Sequence, residues 1–258
     1  YRVLARRGNG GFGTVCTCWD TRLQRRVAIK RMPLLGASET PGVLASTVDE
    51  ALSEARTACL LAHPNIVTVH DFEIEGDYAY LVMEFVDGLN LSELLARVEG
   101  GYLTYAEASH MVSSLAKALQ YAHDNGVLHL DIKPTNIMID RQGTVKLADF
   151  GMATLASAAG YGGARGGTVG YMPPEQVEGM LVDERADIFS LAVVLRQALT
   201  GVNVFAGRTA KESLDRMYKG PKISLLKEDP EVPFAVDAAL TQALSPEPSM
   251  RQGSVSEF

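Results

Sequence analysis

Apolar and polar positions alternate in short runs over the first third of the chain. The runs at 1–5, 14–19, 26–31, 66–72 and 78–83 are bounded by Gly, Asp or Pro, which predicts strands. One stretch breaks that period. Val48, Ala51, Leu52, Ala55, Ala58, Cys59 and Ala62 recur at helical spacing, predicting a helix over 46–62 closed by Pro64. After Asp87-Gly88 the helical period dominates, with helices expected at 91–98, 104–123, 186–199 and 233–244. The second opens on the capping box Thr104-x-x-Glu107 and carries Met111, Val112, Leu115, Ala118, Leu119 and Ala122 on one stripe. Two short strands, 136–140 and 144–148, flank an Arg141-Gln142-Gly143 turn. Residues 152–170 are rich in Gly and Ala and poor in bulky side chains, so they cannot anchor themselves by burial and are expected to be mobile. The pattern predicts an α+β fold: a small β-rich part over 1–83 with one main helix, a connection over 84–88, and a larger, mostly helical part over 89–258.

Composition narrows the picture. The 258 residues are 47% apolar and 21% charged, enough to bury a large core. Net charge is −7 and there is no long basic run, so no nucleic-acid partner is expected and any phosphate must be met locally. Three cysteines (Cys16, Cys18, Cys59) make no framework of bridges, which points to structural thiols in a reducing compartment, the cytoplasm. The apolar run 188–195 is broken by Ser190 and is far shorter than the ~20 residues of a membrane span, so no membrane contact by this domain is expected. The chain begins on Tyr1 within strand-like sequence, which predicts a longer parent protein that could carry a membrane anchor.

Three constellations carry chemistry. Gly8-Asn9-Gly10-Gly11-Phe12-Gly13-Thr14-Val15 lies between two strands, where missing Cβ atoms let backbone N–H groups approach phosphates. A plain hairpin would explain it equally well, and the strand that follows argues against a dinucleotide-binding fold, which would place a helix there. Val27-Ala28-Ile29-Lys30 puts Ala28 and Lys30 on one face of a strand. Of the acids Glu50 and Glu54 on the next helix, Glu54 lies nearer the edge of the apolar stripe and is the expected partner of Lys30. The third is His129-Leu130-Asp131-Ile132-Lys133-Pro134-Thr135-Asn136 with Asp149-Phe150-Gly151 downstream, a set of oxygen ligands and bases able to converge on Mg²⁺ and a hydroxyl.

In this order and spacing the chain resembles a eukaryotic-type protein kinase catalytic domain, most like the bacterial Ser/Thr kinases. The resemblance implies a bilobal fold over 1–258 that covers ATP with residues 8–15 (Gly8, Asn9, Gly10, Gly11, Phe12, Gly13 and Val15). Lys30, held by Glu54, would contact the α and β phosphates, and Asn136 and Asp149 would hold Mg²⁺, with Mn²⁺ an alternative. Asp131 would accept the substrate hydroxyl proton and Lys133 would stabilise the transferred phosphoryl group. Val15, Ala28, Met83 and Met138 would sandwich the adenine, with backbone hydrogen bonds from Glu84 and Val86. Gly167-Thr168-Val169-Gly170-Tyr171-Met172-Pro173-Pro174-Glu175 resembles the substrate-docking end of the activation segment, with Pro173 where Ala is usual. Thr168 and Lys133 match the Ser/Thr branch, so protein Ser/Thr hydroxyls are the implied acceptors, and a homodimer is compatible. Asp187 resembles the buried aspartate that ties the catalytic loop, and Arg251 the late arginine that pairs with Glu175. One departure stands out: Leu130 occupies the position where the family commonly has Arg, and no basic residue follows at Leu155. The alternatives are a regulatory or weakly active ATP-binding module, against which Lys30, Asp131, Asn136 and Asp149 all stand intact, and a small-molecule phosphotransferase, which would usually lack the docking segment.

Overall fold

A computed structural model describes residues 1–10, 13–33, 59–150, 169–220, 224–229 and 232–258. Five antiparallel strands make the N-terminal sheet: β1 (Arg2–Gly10), β2 (Gly13–Asp20), β3 (Arg25–Pro33), β4 (Val69–Glu75) and β5 (Tyr78–Glu84), in the order β1-β2-β3-β5-β4. The β1–β2 hairpin is tight. Gly10 pairs with Gly13, whose φ of 143° and whose absent Cβ, which would fall 2.1 Å from the Arg31 carbonyl oxygen, admit only glycine. The fourth strand begins at Val69 rather than at 66 as the alternation suggested. Ile66 forms a parallel bridge to Leu147, and the Val67 N–H donates to the Leu147 carbonyl, so the apolar pair there is spent on joining the two halves. Of the helix expected over 46–62, only 59–62 lie within the described residues.

Beyond β5 a three-stranded sheet, β6 (Gly88–Asn90), β7 (Ile137–Asp140) and β8 (Val145–Leu147), carries the turn read from Arg141-Gln142-Gly143. Asp140 Oδ1 closes it by accepting the N–H groups of Gln142 and Thr144. The helices follow as α1 (Leu91–Leu95), α2 (Tyr105–Asp124), α3 (Pro174–Val177), α4 (Glu184–Thr200), α5 (Ala210–Lys219), α6 (Leu225–Glu228) and α7 (Phe234–Ala243). The capping box on α2 is present: Thr104 Oγ1 accepts the Glu107 N–H, and the Glu107 carboxylate takes the Thr104 N–H. The first helix is shorter than the expected 91–98: past Leu95 the Arg97 N–H bonds back only three residues, to the Leu94 carbonyl, and Val98 is extended at φ −75° and ψ 145°.

The core of the C-terminal part is built by α2 and α4. The stripe read on α2 contributes Met111, Leu115, Ala118, Leu119 and Ala122, all buried, while α4 is buried on almost every side. A polar helix could not occupy that position. Its Asp187, Ser190 and Arg196 are exceptions that find partners, Asp187 in the loop described below, Ser190 on the Tyr171 carbonyl and Arg196 on the Glu228 carboxylate. Among the described residues no helix is long and apolar enough to cross a membrane.

Candidate active site

Of the residues singled out for chemistry, Lys30, Asp131, Lys133, Asn136 and Asp149 come together where the sheet faces the segment from Val127 to Phe150. Lys30, on β3 and 5% exposed, places its Nζ 2.7 Å from Asp149 Oδ2. Burial alone would raise the Asp149 carboxyl. The Lys30 ammonium, by its charge and its hydrogen bond, and Lys133 beyond it more than offset that and hold it below its ordinary value, so it is a carboxylate at neutral pH. Asp149 adopts φ 70°, a left-handed conformation that Asp tolerates better than most residues.

Asp131 lies on the loop between α2 and β7. Lys133 Nζ reaches its two carboxylate oxygens at 2.8 and 2.7 Å, and Asn136 Nδ2 donates to its carbonyl at 2.9 Å and to Oδ2 at 3.1 Å. The Asn136 carbonyl accepts the Ala148 N–H, which fixes this loop to the residue preceding Asp149. Beneath lies a fully buried carboxylate, Asp187 on α4. Its Oδ2 accepts the His129 N–H and faces His123 Nε2 at 2.8 Å, and its Oδ1 accepts the Leu130 N–H. Burial raises the Asp187 carboxyl, but these partners outweigh it and keep it ionised. His129 has a single compatible neutral tautomer, since Nδ1 accepts the Asp131 N–H and Nε2 must then donate to the Ala148 carbonyl.

An apolar cluster sits beside these groups. Ala28, Met83, Val86, Met138 and Ala148 pack with Leu81 and Met32, bringing the sheet, the connection and β7 to one place, and Val15 pairs with Lys30 across β2 and β3. The connection is tied on both sides. The Glu84 carboxylate accepts the Thr68 N–H and meets Lys146 Nζ at 3.0 Å, Phe85 lies 4.6 Å from the Arg26 guanidinium, and Asp87 pairs with Arg26 and Arg141.

The docking-end residues are partly described. Glu175 is gripped by Arg251 through two bonds of 2.6 and 2.9 Å, the pairing expected of them, and Arg251 also donates to the carbonyls of Ser245, Arg185 and Pro246. Glu54, Thr168, Gly11 and Phe12, the Glu50 alternative and residues 152–168 of the segment expected to be mobile lie outside the described residues, as do the side chains of residues 8–10. Three contacts went unread in the sequence: Lys146 on Glu84, Phe85 beside Arg26, and Gln176 on the Leu130 carbonyl at 2.6 Å. Each joins residues dozens of positions apart, and no local pattern marks them.

The protein kinase domain family model matches residues 1–255. The chain belongs to the protein kinase family. It is 34% identical over 253 residues to the serine/threonine-protein kinase PrkC of Bacillus subtilis, covering 97% of this chain and 38% of the relative. It is 36% identical over 265 residues to the serine/threonine-protein kinase PknA of Mycobacterium tuberculosis, covering 100% of this chain and 59% of that protein. PknD of the same species is 36% identical over 258 residues, with 97% of this chain and 37% of the relative covered. The chain thus spans less than two thirds of each of these relatives.

Proposed function

We propose that this domain, with its lobes meeting at a hinge over 84–88, transfers the γ-phosphoryl group of ATP to Ser/Thr hydroxyls of protein substrates. The observation that carries the reading is the 2.7 Å contact of Lys30 with Asp149, which brings the cation of the sheet to the edge of the Asp131–Asn136 loop. The acidic groups suit a cation held largely by nucleotide phosphates. Asn136 uses its Nδ2 on Asp131, which leaves Oδ1 without a hydrogen bond among the described residues, and Asp149 has a second carboxylate oxygen in the same condition. Two hard oxygen donors, with no cluster of three or more acidic, His or Cys groups among the described residues, match the ligand set of Mg²⁺ in phosphoryl-transfer sites, with Mn²⁺ as the second choice. Bound there, the metal ion would neutralise charge on the phosphates.

The chain's own residues then divide the work. Lys30 holds the nonbridging oxygens of the α and β phosphates, and Glu54 orients it. The glycine-rich turn over 8–15 covers the phosphates with backbone N–H groups. Ala28, Val15, Met83 and Met138 enclose the adenine, while Glu84 and Val86 address its edge through the backbone. Asp131 accepts the proton of the attacking hydroxyl, and Lys133, already on that carboxylate, offsets charge as the phosphoryl group passes. Thr168 and Lys133 favour Ser/Thr acceptors. The free thiols of Cys16, Cys18 and Cys59 suit a cytoplasmic domain. Phosphoamino-acid analysis of autophosphorylated protein tests the acceptor class: phosphoserine and phosphothreonine are expected, and a predominance of phosphotyrosine contradicts the assignment.

A further inference from the structure

The peptide unit joining Leu130 to Asp131 is held at both ends. Its N–H, on Asp131, donates to His129 Nδ1 at 3.2 Å, and its C=O, on Leu130, accepts from Gln176 Nε2 at 2.6 Å. Leu130 sits at φ 61°, a left-handed conformation that costs a non-glycine residue about 1 kcal/mol or more and persists only where the surroundings impose it. That φ is set by the preceding His129–Leu130 peptide, whose N–H donates to Asp187, while rotation of the Leu130–Asp131 peptide would change the Leu130 ψ and the Asp131 φ and so swing Asp131. On its N–H side the Asp131 bond to His129 resists that rotation, and on its carbonyl side Gln176 alone does so among the described residues.

Gln176 also bears a cost that packing does not explain. Its Oε1 is buried and has no partner among the described residues, an arrangement that is destabilising on its own. An apolar side chain of the same length would avoid that cost while filling the same space. The amide orientation is fixed nonetheless, because only Nε2 can face a carbonyl. Gln176 directly follows Glu175, which Arg251 clamps, so the donor is mounted on a rigid base.

We propose that Gln176 is a positioning residue that locks the Leu130–Asp131 peptide and thereby aims the Asp131 carboxylate, a link from the docking end of the chain to the base that needs no phosphate and no cation at position 130. The proposal rests on reading Asp131 as the base. It makes Leu130 intelligible: a side chain without a donor suffices where the backbone carbonyl, rather than the side chain, receives the tether.

Gln176→Glu and Gln176→Met keep the length of the side chain and remove the donor. With folding of both verified by thermal unfolding, steady-state kinetics with Mg·ATP and a generic protein acceptor should show kcat lowered about tenfold or more and KM for ATP within twofold of the parent, about 1.4 kcal/mol of transition-state stabilisation. Amide hydrogen exchange, run on the same samples without nucleotide, should be faster at Asp131 by at least tenfold. Unchanged exchange at Asp131 in the folded variants overturns the tether, as does a kcat within twofold of the parent. An inactive parent protein contradicts the kinase reading instead, and the exchange measurement then decides the tether by itself.

Discussion

At the scale of single residues the site is a set of buried charges that satisfy one another. Lys30 and Asp149 are each other's partner, with side chains 6% and 17% exposed, and removing either leaves a charge with poor solvation. Lys30→Met and Asp149→Asn are therefore each expected to lower turnover by at least about a hundredfold, the scale on which loss of one preorganised electrostatic group is felt. Asp149→Asn should in addition weaken Mg·ATP binding, measured by titration with a fluorescent nucleotide. Turnover near the parental rate in purified Asp149→Asn would remove this residue from the metal set. The types and spacing of these side chains were legible in the sequence, since a lysine on an alternating strand and carboxylates on a short loop follow from local pattern. That Lys30 meets Asp149 was not legible, because a contact across 119 positions is made by the packing of two halves.

At the scale of elements, the buried Glu175–Arg251 pair ties α3 to the end of the chain. The Arg251 side chain is fully buried, stacks 4.9 Å from Phe189 and donates five hydrogen bonds. Arg251→Ala strands the Glu175 carboxylate in the core and should cost about 3–5 kcal/mol of stability, read from urea denaturation. A loss under about 1 kcal/mol would mean that the pair is not a structural tie. Elements differed in how well the sequence announced them. The α2 helix was readable from end to end because capping box and stripe agreed. The α5 helix was overlooked even though Thr209 caps it by accepting the Glu212 N–H and Ala210, Leu214, Met217 and Tyr218 recur at helical spacing, since its polar residues outnumber that narrow stripe. The start of β4 was misplaced because Ile66 and Val67 look like strand and are used as a bridge to β8.

At the scale of the whole molecule, the absence of a basic residue at 130 bears on control. A phosphate on the activation segment is ordered by charge-assisted bonds to nearby cations, and Leu130 supplies none. Between Met152 and Gly170 the sequence offers Arg165 as its one cation. Activity is thus expected to be independent of segment phosphorylation. Phosphatase treatment followed by initial rates, beside Leu130→Arg, should leave the rate within about threefold of the untreated protein. A fall of more than about tenfold, roughly 1.4 kcal/mol, would show the segment to be phosphate-gated.

Whether Asp131, Asn136, Asp149 and Lys30 form one phosphoryl-transfer centre is decided by following label from γ-labelled ATP into a generic protein acceptor with Mg²⁺ present, for the parent chain and for Asp131→Asn side by side. Transfer by the parent should require the divalent cation and should fall at least about a hundredfold with the substitution, nucleotide binding being retained. Equal transfer by both proteins, or transfer by the parent that persists after chelation of the metal, would contradict such a centre.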